Sequence, residues 1–206
     1  MIGGISWLLR TIASTFAAKC RAFSAILTTL AVRTHRGRWA ETAVAGRPPW
    51  DSRNEKIASF IPAGSSVIDL GCGAQTLKRH LSSECEYQPC DLVKSSADVI
   101  LCDFNAGLYP KVGKRFTHVV CSGVLEYVRN HRRFLKERSS LGENLIVSYN
   151  LRLPEDSKLQ RMSNNWVNHF SRSELEEIFR DAGLSAECLD VAEDGREAIY
   201  KLKTRG

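Results

Sequence analysis

Ser65 to Leu77 reads SSVIDLGCGAQTL, an apolar run that ends in an acid, Asp69, with Gly71 and Gly73 following in a G-x-G spacing. A short apolar run bounded by glycines reads as a buried strand. The glycines let the chain turn tightly at its end and pass close to a ligand. A nucleotide-type ligand is therefore invited. The pattern is incomplete, because Gln75 stands where a third glycine is expected and Thr76 fills the last small position of G-x-G-x-x-G.

Outward from this stretch, short apolar runs alternate with amphipathic ones from about residue 52. Strands are predicted at 65–70, 86–92, 97–103, 116–122, 143–149, 185–191 and 198–204, and helices at 125–138 and 171–183. In the second helix Ser171 can cap the N-terminus, Glu174 completes an S-x-x-E box and Gly183 stops it. Near-continuous apolar strands alternating with helices predict an α/β fold, a Rossmann-like, mostly parallel sheet with helices on both faces. Asp194-Gly195 signals a hairpin between the last two strands, which makes the C-terminal strand antiparallel. One connection fits poorly. About five residues separate strands 2 and 3, where a parallel crossover normally takes ~10 or more. Either a tight loop replaces the helix or one strand is shorter than drawn. Residues 150–170 have no clear periodicity and carry Trp166, His169 and Phe170.

In an open parallel sheet the ligand sits beyond the carboxyl ends of the strands. Asp69 ends strand 1, Asp91 ends strand 2, and Asp103-Phe104 ends strand 3. A carboxylate at Asp91 is placed for two ribose hydroxyls. Asp103 and Phe104 could hold an adenine, by its amine and its face. Asp69 would repel a phosphate so close to the glycines, but suits a cationic amino-acid end. Three carboxylates without a Lys or Arg at the strand ends point to a positively charged nucleoside lacking phosphates, and S-adenosylmethionine fits. A dinucleotide fits less well, and no G-K-[ST] follows for a P-loop.

These motifs resemble those of class I S-adenosylmethionine-dependent methyltransferases. VIDLGCGAQTL resembles the first motif, CDL and CDFNAG the second and third. VVCSGVLEYVRN (119–130) resembles the fourth-strand motif of the small-molecule branch, and HFSRSELEEIFRDAGL (169–184) its late helix. The similarity spans about residues 52–204. It implies a seven-stranded sheet with a reversed last strand and methyl transfer to a small-molecule, lipid or glycan-precursor acceptor. It also implies that Asp69, Gly71 and Gly73, with Cys72 beside them, border the methionine end. Asp91 with Leu92 would border the ribose, Asp103 and Phe104 the adenine, and Cys121-Ser122 the cofactor's inner side. Gln75, His118 and Tyr127 depart from the usual pattern. Methyl transfer from a sulfonium is an in-line displacement in which the protein mainly supplies alignment and a dry site. Tyr127, Trp166 and His169 are the substrate-facing candidates, and no catalytic residue is assigned. The alternative for His169 is a helix-entry contact with the backbone, and Glu126 is placed to cap the helix after strand 4. A rival reading is a methyltransferase-like, non-catalytic partner subunit with weak or no cofactor binding.

No [DNS]-P-P-[YFW] follows strand 4, and six of the 29 Lys/Arg but none of the 23 Asp/Glu fall in residues 1–40. The remainder is charge-balanced, which disfavours a nucleic-acid substrate. The seven cysteines show no C-x-x-C pair and no zinc spacing, so they read as small buried residues of a reducing, cytoplasmic protein with no metal. The chain divides into a basic amphipathic helix at 1–33, a linker or lid at 34–54 and the main domain at 55–206. In the helix Ile5, Leu8, Leu9, Ile12, Phe16, Cys20, Phe23, Leu27 and Leu30 form one stripe, too short and too interrupted to cross a bilayer. Over residues 5–32 it can pack on the domain or a partner protein, lie peripherally on an anionic membrane surface, or act in targeting. Trp39 and Trp50 are either buried anchors or part of a lid.

Overall fold

The computed structural model describes residues 2–34, 36–37, 39–40 and 48–205, with side chains in the first helix from Ser14 onward. Seven strands form one sheet in the order β3-β2-β1-β4-β5-β7-β6. They are β1 (Ser66–Leu70), β2 (Glu86–Asp91), β3 (Ile100–Leu101), β4 (Phe116–Ser122), β5 (Gly142–Asn150), β6 (Leu184–Val191) and β7 (Glu197–Thr204). Strands β1 to β5 pair in parallel, and β7 runs antiparallel between β5 and β6. The hairpin expected at Asp194-Gly195 is present, with Gly195 at φ +70°.

The apolar runs are continuous because both faces of the sheet are covered. Successive side chains alternate between faces. Val67, Val120 and Ile146 join one core layer with Ile57 and Leu77. Their neighbours Ile68, Val119, Leu145 and Val147 join the other, with Phe134, Leu175 and Phe179. The helices include α1 (Ile2–Ala31), α2 (Pro48–Ser59), α3 (Thr76–His80), α4 (His131–Glu137), α5 (Lys158–Met162) and α6 (Arg172–Asp181). At α6 the expected box forms in full: Ser171 Oγ accepts from Glu174 N–H, and Glu174 Oε2 accepts from Ser171 N–H at 2.7 Å.

Four expectations change. The strand drawn at 97–103 is only Ile100–Leu101, so residues 92–99 make the crossover as a loop. That loop clips back onto the glycine turn: Ser95 Oγ donates to the Gly73 carbonyl, and Gln75 Nε2 to Ser96 Oγ. Second, the helix drawn at 125–138 is broken into a 3-10 turn at Leu125–Tyr127, the helix α4 and a 3-10 turn at Arg138–Ser140. Asn130 restarts it by accepting from Arg133 N–H, so Asn130 rather than Glu126 is the cap. Third, the linker drawn to residue 54 ends earlier, because α2 begins at Pro48 and buries Ile57 and Ala58. Fourth, the exposed stripe of α1 does not pack on the domain. Phe16, Phe23, Leu27 and Leu30 face outward, while Thr29 on the other side is buried. The stripe's earlier members, Ile5, Leu8, Leu9 and Ile12, lie outside the described side chains.

Candidate active site

A cleft opens at the carboxyl ends of β1, β2 and β4, where the strand order reverses between β1 and β4. Its floor is the turn after β1. Gly71 sits at φ +85°, and a Cβ there would stand 2.3 Å from Val124 Cγ2, so only glycine fits. Gly71 and Cys72 N–H both donate to the Cys90 carbonyl, which ties the turn to β2. Gly73 N–H donates to Asp91 Oδ2 at 2.7 Å, and Val93 N–H to Asp91 Oδ1 at 3.1 Å. Burial raises the Asp91 pKa against these bonds. Gln75 takes the left-handed conformation of the missing glycine, φ 55° and ψ 36°, with its side chain held by Ser96. The turn keeps its course despite the substitution.

Asp69 lines the cleft and is almost fully buried. Its Oδ2 accepts from Tyr87 O–H at 2.7 Å, while Oδ1 has no partner. Burial pushes its pKa up to about 7; the Tyr87 bond and, more weakly, Arg53 oppose the rise, and the Asp91 charge adds to it. A buried, orphaned carboxylate oxygen at a cleft wall suits a ligand carrying an ammonium group.

Of the other residues read from the sequence, Cys72, Leu92, Asp103, Phe104, Ser122, Tyr127 and Trp166 line the cleft. Cys121 and His169 do not. Cys121 points into the core. His169 lies on the loop after α5, where its carbonyl accepts from Arg152 Nε. Asp103 is already engaged, as its oxygens accept from Ala106 N–H, Thr34 Oγ1 and Arg36 Nη2. The segment after α1 is therefore strapped onto the cleft at this acid.

Three contributors were missed in the sequence. Arg53, from α2, is buried at the cleft, donating from Nε to Ser122 Oγ at 2.8 Å and pairing with Glu197 at 3.1 Å. Gly123, at φ +63°, makes room for it, since a Cβ there would meet the guanidinium at 2.8 Å. Asn54 bridges Thr76 Oγ1 and Ser122 Oγ. Helical spacing in PPWDSRNEK was the one usable signal for both. Glu126 is the third. Its Oε1 accepts from Asn150 N–H at 2.8 Å, its Oε2 is buried in the cleft wall without a partner, and burial raises its pKa. Around it stands an aromatic wall. Trp39 meets Tyr127 edge-on at 4.7 Å and Trp50 at 6.5 Å, and Trp166 Nε1 donates to Tyr127 Oη at 3.0 Å. Trp39 and Trp50 thus border the cleft, as a lid would.

The family model of a methyltransferase domain matches residues 43–189. A bifunctional methionine biosynthesis protein, MetXA/MetW, of Rhodopirellula baltica is 31% identical over 113 residues, 46% of this chain and 18% of that protein. The chain thus matches less than a fifth of that relative's length. Among solved structures, a putative O-methyltransferase of Nostoc punctiforme superposes with a TM-score of 0.65 at 13% identity, over 81% of this chain and 60% of that one. The 1,6-didemethyltoxoflavin-N1-methyltransferase of Burkholderia thailandensis, solved with S-adenosylhomocysteine, gives 0.61 at 15% identity, over 89% of each chain. Human N-acetylserotonin methyltransferase, solved with S-adenosylmethionine, gives 0.65 at 10% identity, over 90% of this chain and 67% of that one. At these identities the likeness establishes the fold.

Proposed function

The chain belongs to the family of methyltransferase domains, and we propose that it transfers a methyl group from S-adenosylmethionine to a small-molecule, lipid or glycan-precursor acceptor. The observation that carries this reading is Asp69 Oδ1, buried and unpartnered, on a residue that lines the cleft beside the glycine turn. The cofactor, when bound, supplies an activated methyl group on a cationic sulfur. Asp69 receives its ammonium end. Asp91, fixed through one lone pair on each oxygen by Gly73 and Val93, keeps acceptor capacity for the ribose hydroxyls. Leu92 and Phe104 supply apolar surface for the base. Asp103 serves instead to hold Thr34 and Arg36 over that end of the cleft.

The acceptor enters against the aromatic wall, which excludes water from the reacting atoms. Glu126 Oε2 is the group that accepts the acceptor's hydrogen bond and, for a hydroxyl, takes its proton. Its raised pKa favours that role. Arg53 and Ser122 hold the inner wall in place.

Incubation with methyl-labelled S-adenosylmethionine and fractionated small-molecule and lipid extracts tests the reading. A labelled product is expected, and Glu126→Gln is expected to lower turnover by about a hundredfold or more while keeping its affinity for S-adenosylhomocysteine. Unchanged turnover in that variant removes Glu126 from the chemistry.

A further inference from the structure

Helix α1 is attached to the domain by the side opposite its apolar stripe. Its buried or half-buried side chains are Ala17, Ala22, Ala25, Ile26, Thr28 and Thr29, a mostly small set. Asn165 Nδ2 donates to the Ala25 carbonyl and to Thr29 Oγ1. Arg129 donates to the carbonyls of Thr29 and Val32, closing the helix's C-terminal end. The outer face carries Phe16, Phe23, Leu27 and Leu30 at 69%, 63%, 49% and 68% exposure. Four large apolar side chains on one helical face, each exposed to that degree, are not a scatter of single surface residues. Lys19, Arg21 and Arg33 are exposed on and just after the same helix. The first acid in the chain is Glu41, so nothing negative accompanies them.

We propose that this face of α1 docks on an anionic membrane surface. An apolar stripe with basic residues and no acids is the pattern of a helix lying in the plane of the lipid interface, its stripe among the acyl chains and its cations at the headgroups. Among the described residues no helix is long and apolar enough to cross a membrane, so α1 lies on the surface rather than spanning it. A protein groove would satisfy the stripe but gives no reason for the one-signed charge. The docked helix also sets the cleft at the membrane. Thr34 and Trp39, just beyond the end of α1, line it, and Thr34 and Arg36 are strapped to Asp103. The proposal stands on α1 alone and does not depend on the methyl-transfer reading.

The test is co-sedimentation of the full chain with vesicles of phosphatidylcholine containing about 30% phosphatidylglycerol, beside vesicles of phosphatidylcholine alone. The chain should pellet with the anionic vesicles, at least tenfold more weakly with the neutral ones, and less as salt is raised. Phe23→Glu with Leu27→Glu should reduce binding at least tenfold. Lys203→Glu, on exposed β7 surface and with the same change in net charge, should reduce it far less. Urea unfolding should give the same midpoint in parent and double variant, which separates a lost docking face from a damaged domain. Failure to pellet with anionic vesicles overturns the proposal, as does a double variant that pellets like the parent. Self-association that the double variant abolishes, without vesicle binding, assigns the face to a second copy and also overturns it.

Discussion

Gly71 and Gln75 stand four residues apart in one turn, both with positive φ, and only one of them has to be glycine. At Gly71 a Cβ would run into Val124 Cγ2 at 2.3 Å, in addition to its strained φ of +85°. Gly71→Ala should therefore cost about 3 kcal/mol or more, combining overpacking with left-handed strain, and should abolish cofactor binding. Gln75→Gly should change stability by less than about 1 kcal/mol, because the relieved strain offsets the lost bond to Ser96 and the added chain entropy. Urea unfolding of both variants checks the contrast. Asp69 yields a pH prediction. Its carboxyl pKa rises from an ordinary 3.8 to about 7 on burial. Between those values the folded chain holds a proton that the unfolded chain has released, so this group's contribution to stability falls as pH rises through the window. The ligand's ammonium group pairs with the ionised form. The affinity for S-adenosylhomocysteine should thus climb by up to about tenfold per unit as pH rises towards 7, then level off. In Asp69→Asn it should be weaker and nearly flat, and a slope equal to the parent's would contradict the assignment. The acids of the site were legible because each ends an apolar run. Glu126 was not, since its partner, the Asn150 N–H, is distant in sequence and nothing local marks its second oxygen as unpaired.

Elements were legible where local signals suffice. The S-x-x-E box and Gly183 bracket α6, and the structure returns both contacts. Ser171→Ala should cost about 1 kcal/mol, read as a shifted urea midpoint with the affinity for S-adenosylhomocysteine unchanged. A shift below a few tenths of a kcal/mol would show that tertiary packing alone holds the helix start. The segment at 125–138 was misread because its helical pattern is overridden by long-range bonds. Asn168 donates to the carbonyls of Leu125 and Val128, Asn105 donates to that of Tyr127, and the Val167 and Asn168 N–H groups donate to that of Glu126. These partners satisfy the backbone that a continuous helix would have satisfied. They also explain why 150–170 lacks periodicity: part of it is committed to this irregular turn. The short crossover and Gln75 belong together in the same way, since the loop that replaces a helix supplies the hydroxyl on which Gln75 rests.

At the scale of the molecule, the sheet and its reversed edge follow from strand spacing and one Asp-Gly hairpin, and they fix where a ligand sits. What the sequence concealed is the part assembled from a distance. Arg53 and Asn54 come from α2, and Trp39, Thr34 and Arg36 from the arm, and together they close the cleft built by β1, β2 and β4. The whole assembly serves one claim, that Asp69 and Asp91 at these strand ends grip the ammonium group and ribose of a nucleoside. Calorimetric titration of the full chain with S-adenosylhomocysteine, beside Asp91→Ala, tests it most directly. Saturable binding is predicted for the parent, weakened at least tenfold by the substitution, about 1.4 kcal/mol for the lost charge-assisted bonds. No binding at millimolar ligand, or an affinity the substitution leaves unchanged, would contradict it.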